Sequence, residues 1–570
     1  MQPTLPLRLL DTNPDGQPFR TPQDDGDIQH FSVQNDPFVR TCLTKNFPVD
    51  TPYLTLSHCW GGKPAILLGH NNIQVLSERF PSVDLMAEGA SLLRDAILIT
   101  RSLGHRYIWV DTVCLNQDDD AEKMDQISKM HEFYSNAILN LSATAAKSGI
   151  DSMTRNRHLS TIMPLTLQMA SENVEASESS NSLIFLNVSW GSRIEFQKIN
   201  SRGWVFQERM LARRVLHFAE DQVYWECHSL EAWDTNPSGK AALQANQSDQ
   251  HMKRNLSLRG RQSAHLAGTD HGQYVWLGLL VSYGSTVTTF PGDRLIAMSA
   301  LARDFALAFG LSDEAYKAGL WLPHCPLALC WSAFGTRQRP RSYRAPTWSW
   351  ASVDGNISYT WHILQTAFKS DITVVDSAVT TNVAADPFSE VLGGRIRVRG
   401  RLFKGFYWKK TGGDETSYDD VFELLREEPD PESTTKRTKA TSQRRLTFRM
   451  SFDVGSWYMD TSNAASEDRQ PFFLLPVQTQ ELETFHREFD RLGVQADEGA
   501  FIGRTCLILR RTPERGQFTR EGIIFGNYWS FEEGDILGAE GKQVEYARES
   551  IGRDDFISSE GDGEYTTDLV

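Results

Sequence analysis

The segment YIWVD at 107–111 constrains this chain more than any other. It is a short unbroken apolar run, the pattern of a central parallel strand buried on both faces. Its surroundings repeat the theme. YLTLSH at 53–58 reads as a strand that enters a Trp-Gly-Gly turn, and AILNLSA at 137–143 as another. Between them, Leu93, Ala96, Ile97, Thr100 and Leu103 fall on one helical face, and Gly104 ends that helix. Asp118, Asp119 and Asp120 can cap a second helix, on which Met124, Ile127, Met130, Tyr134 and Ala137 keep helical spacing. Strand, helix, strand, helix, strand in under 100 residues predicts an α/β domain with a parallel sheet. Further on, 202–218 reads as a short helix running into a strand, and QVYWEC at 222–227 as a strand.

The other regions have a different texture. Residues 1–50 are polar and Pro-rich and read as a lead-in arm. The polar run within 145–200 reads as an exposed insertion, and 234–273 as a loop. A helix is expected over 292–310, partial helix over 318–335 broken early by Pro323 and Pro326, and an aromatic turn at 345–355. Beyond about residue 370 come separated β-like runs, interrupted by a disordered loop at 427–445, and then an acidic tail. The division expected is an arm at 1–50, an α/β domain at 51–232, a helical, aromatic-rich extension at 233–365, a β-rich region at 366–550 and a tail at 551–570.

Composition excludes several classes. A 40% hydrophobic and 23% charged chain of 570 residues is an ordinary globular protein. Its net charge of −15 and lack of a Lys/Arg cluster give no support to a nucleic-acid surface. No apolar run is long enough to cross a bilayer, and the N-terminus lacks the pattern of a signal peptide. Seven cysteines without a CxxC pair point to free thiols and a cytoplasmic setting, and the absence of paired ligand spacing argues against zinc.

Ligands of an open parallel sheet bind beyond the carboxyl ends of its strands. Ser57 and His58 close one strand and Asp111 another, so both deliver polar groups to one rim. Trp60, Gly61, Cys114 and Gln117 follow these ends, and the block RGWVFQER adds Arg202, Trp204, Gln207, Glu208 and Arg209. The candidate pocket therefore holds two carboxylates, guanidinium groups, amides and flat indoles. Each residue also has a structural use: Asp111 can cap a turn, Glu208 can pair with Arg202 or Arg209, Gln117 can brace a loop, and the indoles can fill core. A thiolate at Cys59 or Cys114 is the rival chemistry, although adjacent strand residues point apart and His58 cannot easily activate Cys59.

The segments YLTLSHCWGG, YIWVDTVCLNQ and RGWVFQERML, in this order and spacing, resemble the heterokaryon-incompatibility (HET) domain of fungi. Likeness continues through TTFPGDRLIAMSALA, AGLWLPH and APTWSWASVDG, so it covers about residues 50–355. His58 departs from the pattern, which often has an aromatic residue there. The resemblance implies a parallel-sheet fold, distantly like Toll/interleukin-receptor (TIR) domains or flavodoxin, and a role in nonself recognition and programmed cell death. Some TIR domains hydrolyse NAD with a glutamate. That implies NAD as a substrate rather than a cofactor, with Glu208 the principal carboxylate and Asp111 the supporting one. A non-enzymatic signalling module, activated by self-assembly or a partner protein, and an enzyme of fungal specialised metabolism are the alternatives.

Overall fold

In the computed structural model the described residues are 4–16, 38–62, 66–81, 88–155, 165–168, 181–184, 190–241, 253, 270–359, 368–407, 421–424, 446–447, 449–452, 470–481, 502–526, 530–532, 535–537, 543–545, 551–560 and 564–570. The chain divides into two compact units, Met1–Leu266 with Thr286–Thr288, and Ala267–Ser285 with Thr289–Val570.

The first unit is built on a nine-stranded mixed sheet. Its strands are β1 (Arg8–Asp11), β2 (Arg40–Leu43), β3 (Leu54–Ser57), β4 (Tyr107–Trp109) and β5 (Leu139–Ser142). A separate hairpin, β6 (Leu165–Gln168) and β7 (Asn181–Ile184), is followed by β8 (Arg214–Phe218), β9 (Val223–Cys227), β10 (Leu230–Trp233) and β11 (Asn236–Ala241). The sheet order is β11-β10-β9-β8-β5-β3-β4-β1-β2. The central four, β8-β5-β3-β4, are parallel, as the apolar runs predict, and antiparallel strands extend the sheet on both sides. All four residues of β3 and of β5 are buried. Within the parallel set, β3 comes first in the chain, β4 joins on one side, and β5 then β8 join on the other. The carboxyl ends of β3 and β5 therefore flank a topological switch point.

Helices α1 (Ile73–Glu78), α2 (Ser91–Ser102), α3 (Asp111–Cys114, one turn), α4 (Asp120–Ser128), α5 (Met130–Asn136) and α6 (Gly203–Leu211) complete the unit. The Asp118–Asp120 run does cap a helix: the Asp119 side chain accepts from the Glu122 backbone N–H. The helical stretch expected after it is interrupted at Lys129, giving α4 and α5.

Four sequence expectations are corrected. The arm at 1–50 supplies β1 and β2, because Leu9 and Leu10 are fully buried and β1 pairs with both β2 and β4. The loop at 234–273 contains strand β11, and a helix begins at Asp270. Residues 318–335 form single 3-10 turns at Leu322–His324 and Leu327–Leu329 and then the strand Trp331–Gln338. Two prolines lacking N–H donors leave no room for a longer helix. The acidic tail ends in a strand, Glu564–Leu569, whose Thr566, Thr567 and Leu569 are buried inside a sheet. The loop expected at 427–445 and most of the polar insertion within 145–200 lie outside the described residues.

In the second unit, α7 (Asp270–Gly284) and α8 (Asp293–Phe309) pack an aromatic cluster that includes Trp276, Phe305 and Trp321. A twelve-stranded sheet makes up its β-rich part. Arg520, fully buried there, donates to the carbonyls of Leu329 and Trp331 and lies over the Trp331 ring. Its charge is thus spread over backbone oxygens and an indole face.

Candidate active site

Side chains alternate across a strand, so residues two apart share a face. Register places Thr55 beside Asn140, Ser57 beside Ser142, and Ser142 beside His217. One face of the parallel sheet consequently carries a buried polar row, while Leu54, Leu56, Leu139 and Leu141 line the other. His217 opposes Tyr224, and Val215 opposes Glu226, which extends the row onto β9. Helix α6 presents Glu208 and Arg209 to two different parts of this row.

Glu208 meets Ser57, whose Oγ lies 2.5 Å from Glu208 Oε2. Asn140 Nδ2 donates to Ser57 Oγ at 3.0 Å, and Thr55 Oγ1 donates to Asn140 Oδ1 at 3.1 Å. Tyr134 of α5 reaches the same place, its hydroxyl lying beside Glu208 and 3.3 Å from the Leu56 carbonyl. Burial pushes the Glu208 carboxyl up to about 7, and nearby Asp111 adds to the rise. Hydrogen bonds from Ser57 and Tyr134, together with the positive charge of Arg202, only partly offset this. A carboxyl that titrates near neutrality is suited to moving protons at physiological pH.

Asp111 is close enough to this carboxyl for its charge to be felt there. It is the first residue of α3 rather than the last of β4. One oxygen accepts from the Thr112 backbone N–H at 2.8 Å, and the other from Trp60 Nε1 at 2.9 Å. His58 Nδ1 lies 3.7 Å from Asp111, too far for a hydrogen bond, and this buried atom has no hydrogen-bond partner. Burial lowers the His58 pKa, and Asp111 opposes that shift. Arg202 Nη1 donates to the His58 carbonyl at 2.5 Å and ties the start of α6 to the end of β3. Val287 braces that start as well, pairing alongside Arg202 and accepting from Gly203 N–H at 3.0 Å.

Ser57, His58, Trp60, Asp111, Arg202 and Glu208 are therefore gathered into one cluster. Trp204 is half-buried on the same helix, and Gln207 is buried with its Oε1 unpartnered. Gly61 shapes the turn: its φ is +64°, and a Cβ there would meet Ser148 Cβ at 2.1 Å. Gln117 braces the loop by donating to the carbonyls of Asp111 and Leu115.

Cys114, Cys59 and Arg209 are otherwise engaged. Cys114 is buried against β4, and burial pushes its thiol up to about 12. Cys59 packs with Ile199 and Val205, and burial raises its pKa too, so neither thiol is poised as a thiolate. Arg209 turns to Glu226, with both hydrogen bonds at 2.9 Å. His217 Nε2, 3.1 Å from Glu226, and Lys253 Nζ, 3.8 Å away, complete a second buried network.

Thr55, Asn140 and Tyr134 were missed. The signal for the first two was present: LTLS and LNLS place a polar residue at every second position of strands that are otherwise core. Among the described residues no helix is long and apolar enough to cross a membrane, and no group of three His, Cys, Asp or Glu could hold a metal ion.

Comparison with known families gives one match: residues 53–208 fit the family model described as heterokaryon incompatibility protein (HET). Neither the curated proteins nor the solved structures return a match.

Proposed function

Starting from a chain whose residues 53–208 form a HET domain, we propose that it acts in the cell-death response of nonself recognition by hydrolysing the nicotinamide–ribose bond of NAD. The observation that carries this reading is Glu208, buried beside the carboxyl end of β3 and hydrogen-bonded by Ser57, with Asp111 and Arg202 close by. The order of the parallel strands, with a switch point between β3 and β5, supports a flavodoxin-like arrangement of the kind TIR domains adopt.

The chemistry follows from the leaving group. Nicotinamide is bound to ribose as a pyridinium, so the C–N bonding pair returns to the ring nitrogen and the departing base needs no proton. Positive charge develops at the ribose carbon, where an ionised carboxylate stabilises it. Water then adds, and its proton passes to the carboxylate. The ionised form of Glu208 is the active one, so the rate rises with pH through a midpoint near 7. A neutral N-glycoside would need a proton donated to its base and would show the opposite limb. On this reading Arg202 pairs with the pyrophosphate and Trp60 lies against a flat ring.

The test incubates the purified chain with NAD and follows nicotinamide release, alongside folded Glu208→Gln and Asp111→Asn variants. Turnover that Glu208→Gln lowers by about 10²-fold or more supports the reading. No turnover under self-assembling conditions sinks it. Cell death on expression that survives Glu208→Gln favours a module that signals through protein contacts.

A further inference from the structure

We propose that Asn140 is a positioning residue for Glu208: its amide, held in one orientation by Thr55, donates to Ser57 and so commits Ser57's single hydroxyl proton to Glu208 Oε2. The inference rests on the reading of Glu208 as the principal carboxylate of the site.

A serine hydroxyl has one proton and two lone pairs. Besides the Tyr134 hydroxyl, two acceptors lie within reach of Ser57 Oγ, Glu208 Oε2 at 2.5 Å and Asn140 Oδ1 at 3.3 Å. The orientation of the Asn140 amide decides between them. Thr55 Oγ1, 3.1 Å from Asn140 Oδ1, donates to that oxygen and turns Nδ2 toward Ser57 at 3.0 Å. Ser57 then accepts from Asn140 and donates onward to Glu208. Thr55 and Asn140 are fully buried and Ser57 is 1% exposed, so water cannot stand in for any of the three. Hydrogen bonds arranged donor to acceptor in a chain strengthen one another.

The groups facing Glu208 come from four places: Ser57 on β3, Tyr134 on α5, Asp111 on α3, and Arg202 just before α6. Ser57 is the one whose proton Asn140 directs. An aspartate at 140 would have the same shape but only acceptor atoms. It would draw the Ser57 proton toward itself and add negative charge beside Glu208. Both effects disfavour the Glu208 carboxylate.

The experiment uses the full chain. Thermal midpoints are measured from about pH 4.5 to 9, with and without Glu208→Gln, in the native, Asn140→Asp and Thr55→Val backgrounds. The separation between the two curves changes from the unfolded carboxyl pKa upward and becomes constant above the folded one, so the upper limit of that change reports Glu208. In the native chain it falls near neutrality, and Asn140→Asp moves it upward by about one pH unit or more. Thr55→Val, which frees the amide to turn, moves it in the same direction by less. An unmoved upper limit in folded Asn140→Asp overturns the proposal. If that variant does not fold, an unmoved limit in Thr55→Val does the same. None of this requires turnover: absent nicotinamide release counts against NAD as the substrate and leaves the titration readable, so the two failures are distinguishable.

Discussion

Glu208 and Glu226 are both buried carboxylates addressing one face of one sheet, and their surroundings drive their ionisation in opposite directions. Burial disfavours the charged form of each. Around Glu226, Arg209, Lys253 and His217 outweigh that penalty and hold the pKa well below the usual carboxylate range. Around Glu208, two hydroxyls and one nearby guanidinium do not, and the pKa rises to about 7. The fold thus contains a clamped acid and an available one, set side by side by consecutive residues of α6. Stability is concentrated at the first, and adjustable charge is left at the second.

The most severe break in this contrast is Arg209→Met. It leaves Glu226 without its bidentate partner in a buried setting and should cost about 3–5 kcal/mol in chemical denaturation. Glu226 is depressed in the fold, so its contribution is present above the unfolded carboxylate pKa and lost as pH falls through the folded value. Acid unfolding should accordingly become less steep in Arg209→Met.

Glu208→Gln should act with the opposite sign. A folded pKa raised from 4.5 to about 7 means that Glu208 favours the fold below pH 4.5 and that this stability is lost as pH rises through 7. The glutamine keeps the acceptor for Ser57 and cannot ionise. At pH 8, relative to its effect at pH 4.5, the substitution should therefore gain on the order of 3 kcal/mol in denaturant titrations. A variant equally stable or unstable at both pH values would remove the distinction between the two acids.

Lys253→Met sharpens the clamp with a smaller effect. Its Nζ donates to the Arg209 carbonyl at 2.8 Å but is 3.8 Å from Glu226, so a loss of about 1–2 kcal/mol is expected at pH 7. Burial lowers the Lys253 pKa to about 8, from 10.5. The unfolded chain therefore binds more protons between those values, and this lysine's contribution makes stability rise with pH there. Lys253→Met should flatten that rise. The smallest effect is expected from Cys59→Ala. A thiol kept protonated by burial should be dispensable for nicotinamide release, and a collapse of the rate would reopen cysteine chemistry.

The parallel core was legible because burial on both faces leaves unbroken apolar runs such as YIWV, and the segments that resemble the HET domain locate the ends of its strands. Ser57, Asp111, Arg202 and Glu208 were legible as candidates for the same reason. Arg209 was misassigned because adjacent helix positions look alike in sequence, whereas a turn of about 100° separates their side chains. Asn140 was overlooked because a polar residue inside a core strand has meaning only once register shows its neighbours. The strand at Glu564–Leu569 was hidden by its acidic lead, since Asp568 becomes acceptable in a sheet by pairing with Arg397 at 2.8 and 2.9 Å and with Arg395 at 3.6 Å.

That strand has a consequence for the order of synthesis. It lies between Val391–Arg401 and Gln517–Gly526, and among the described residues the hairpin Ile372–Thr381 with Val391–Arg401 hydrogen-bonds to the rest of its sheet only through it. A ribosome has therefore released more than 150 residues after the hairpin before the strand that pairs with its Val391–Arg401 edge emerges. Over that interval the Val391–Arg401 edge of the hairpin is open to foreign strands, and once Gln517–Gly526 has emerged so is its edge at Gln517 and Phe518. The α/β unit, by contrast, has all of its parallel strands by residue 218 and can close long before translation ends.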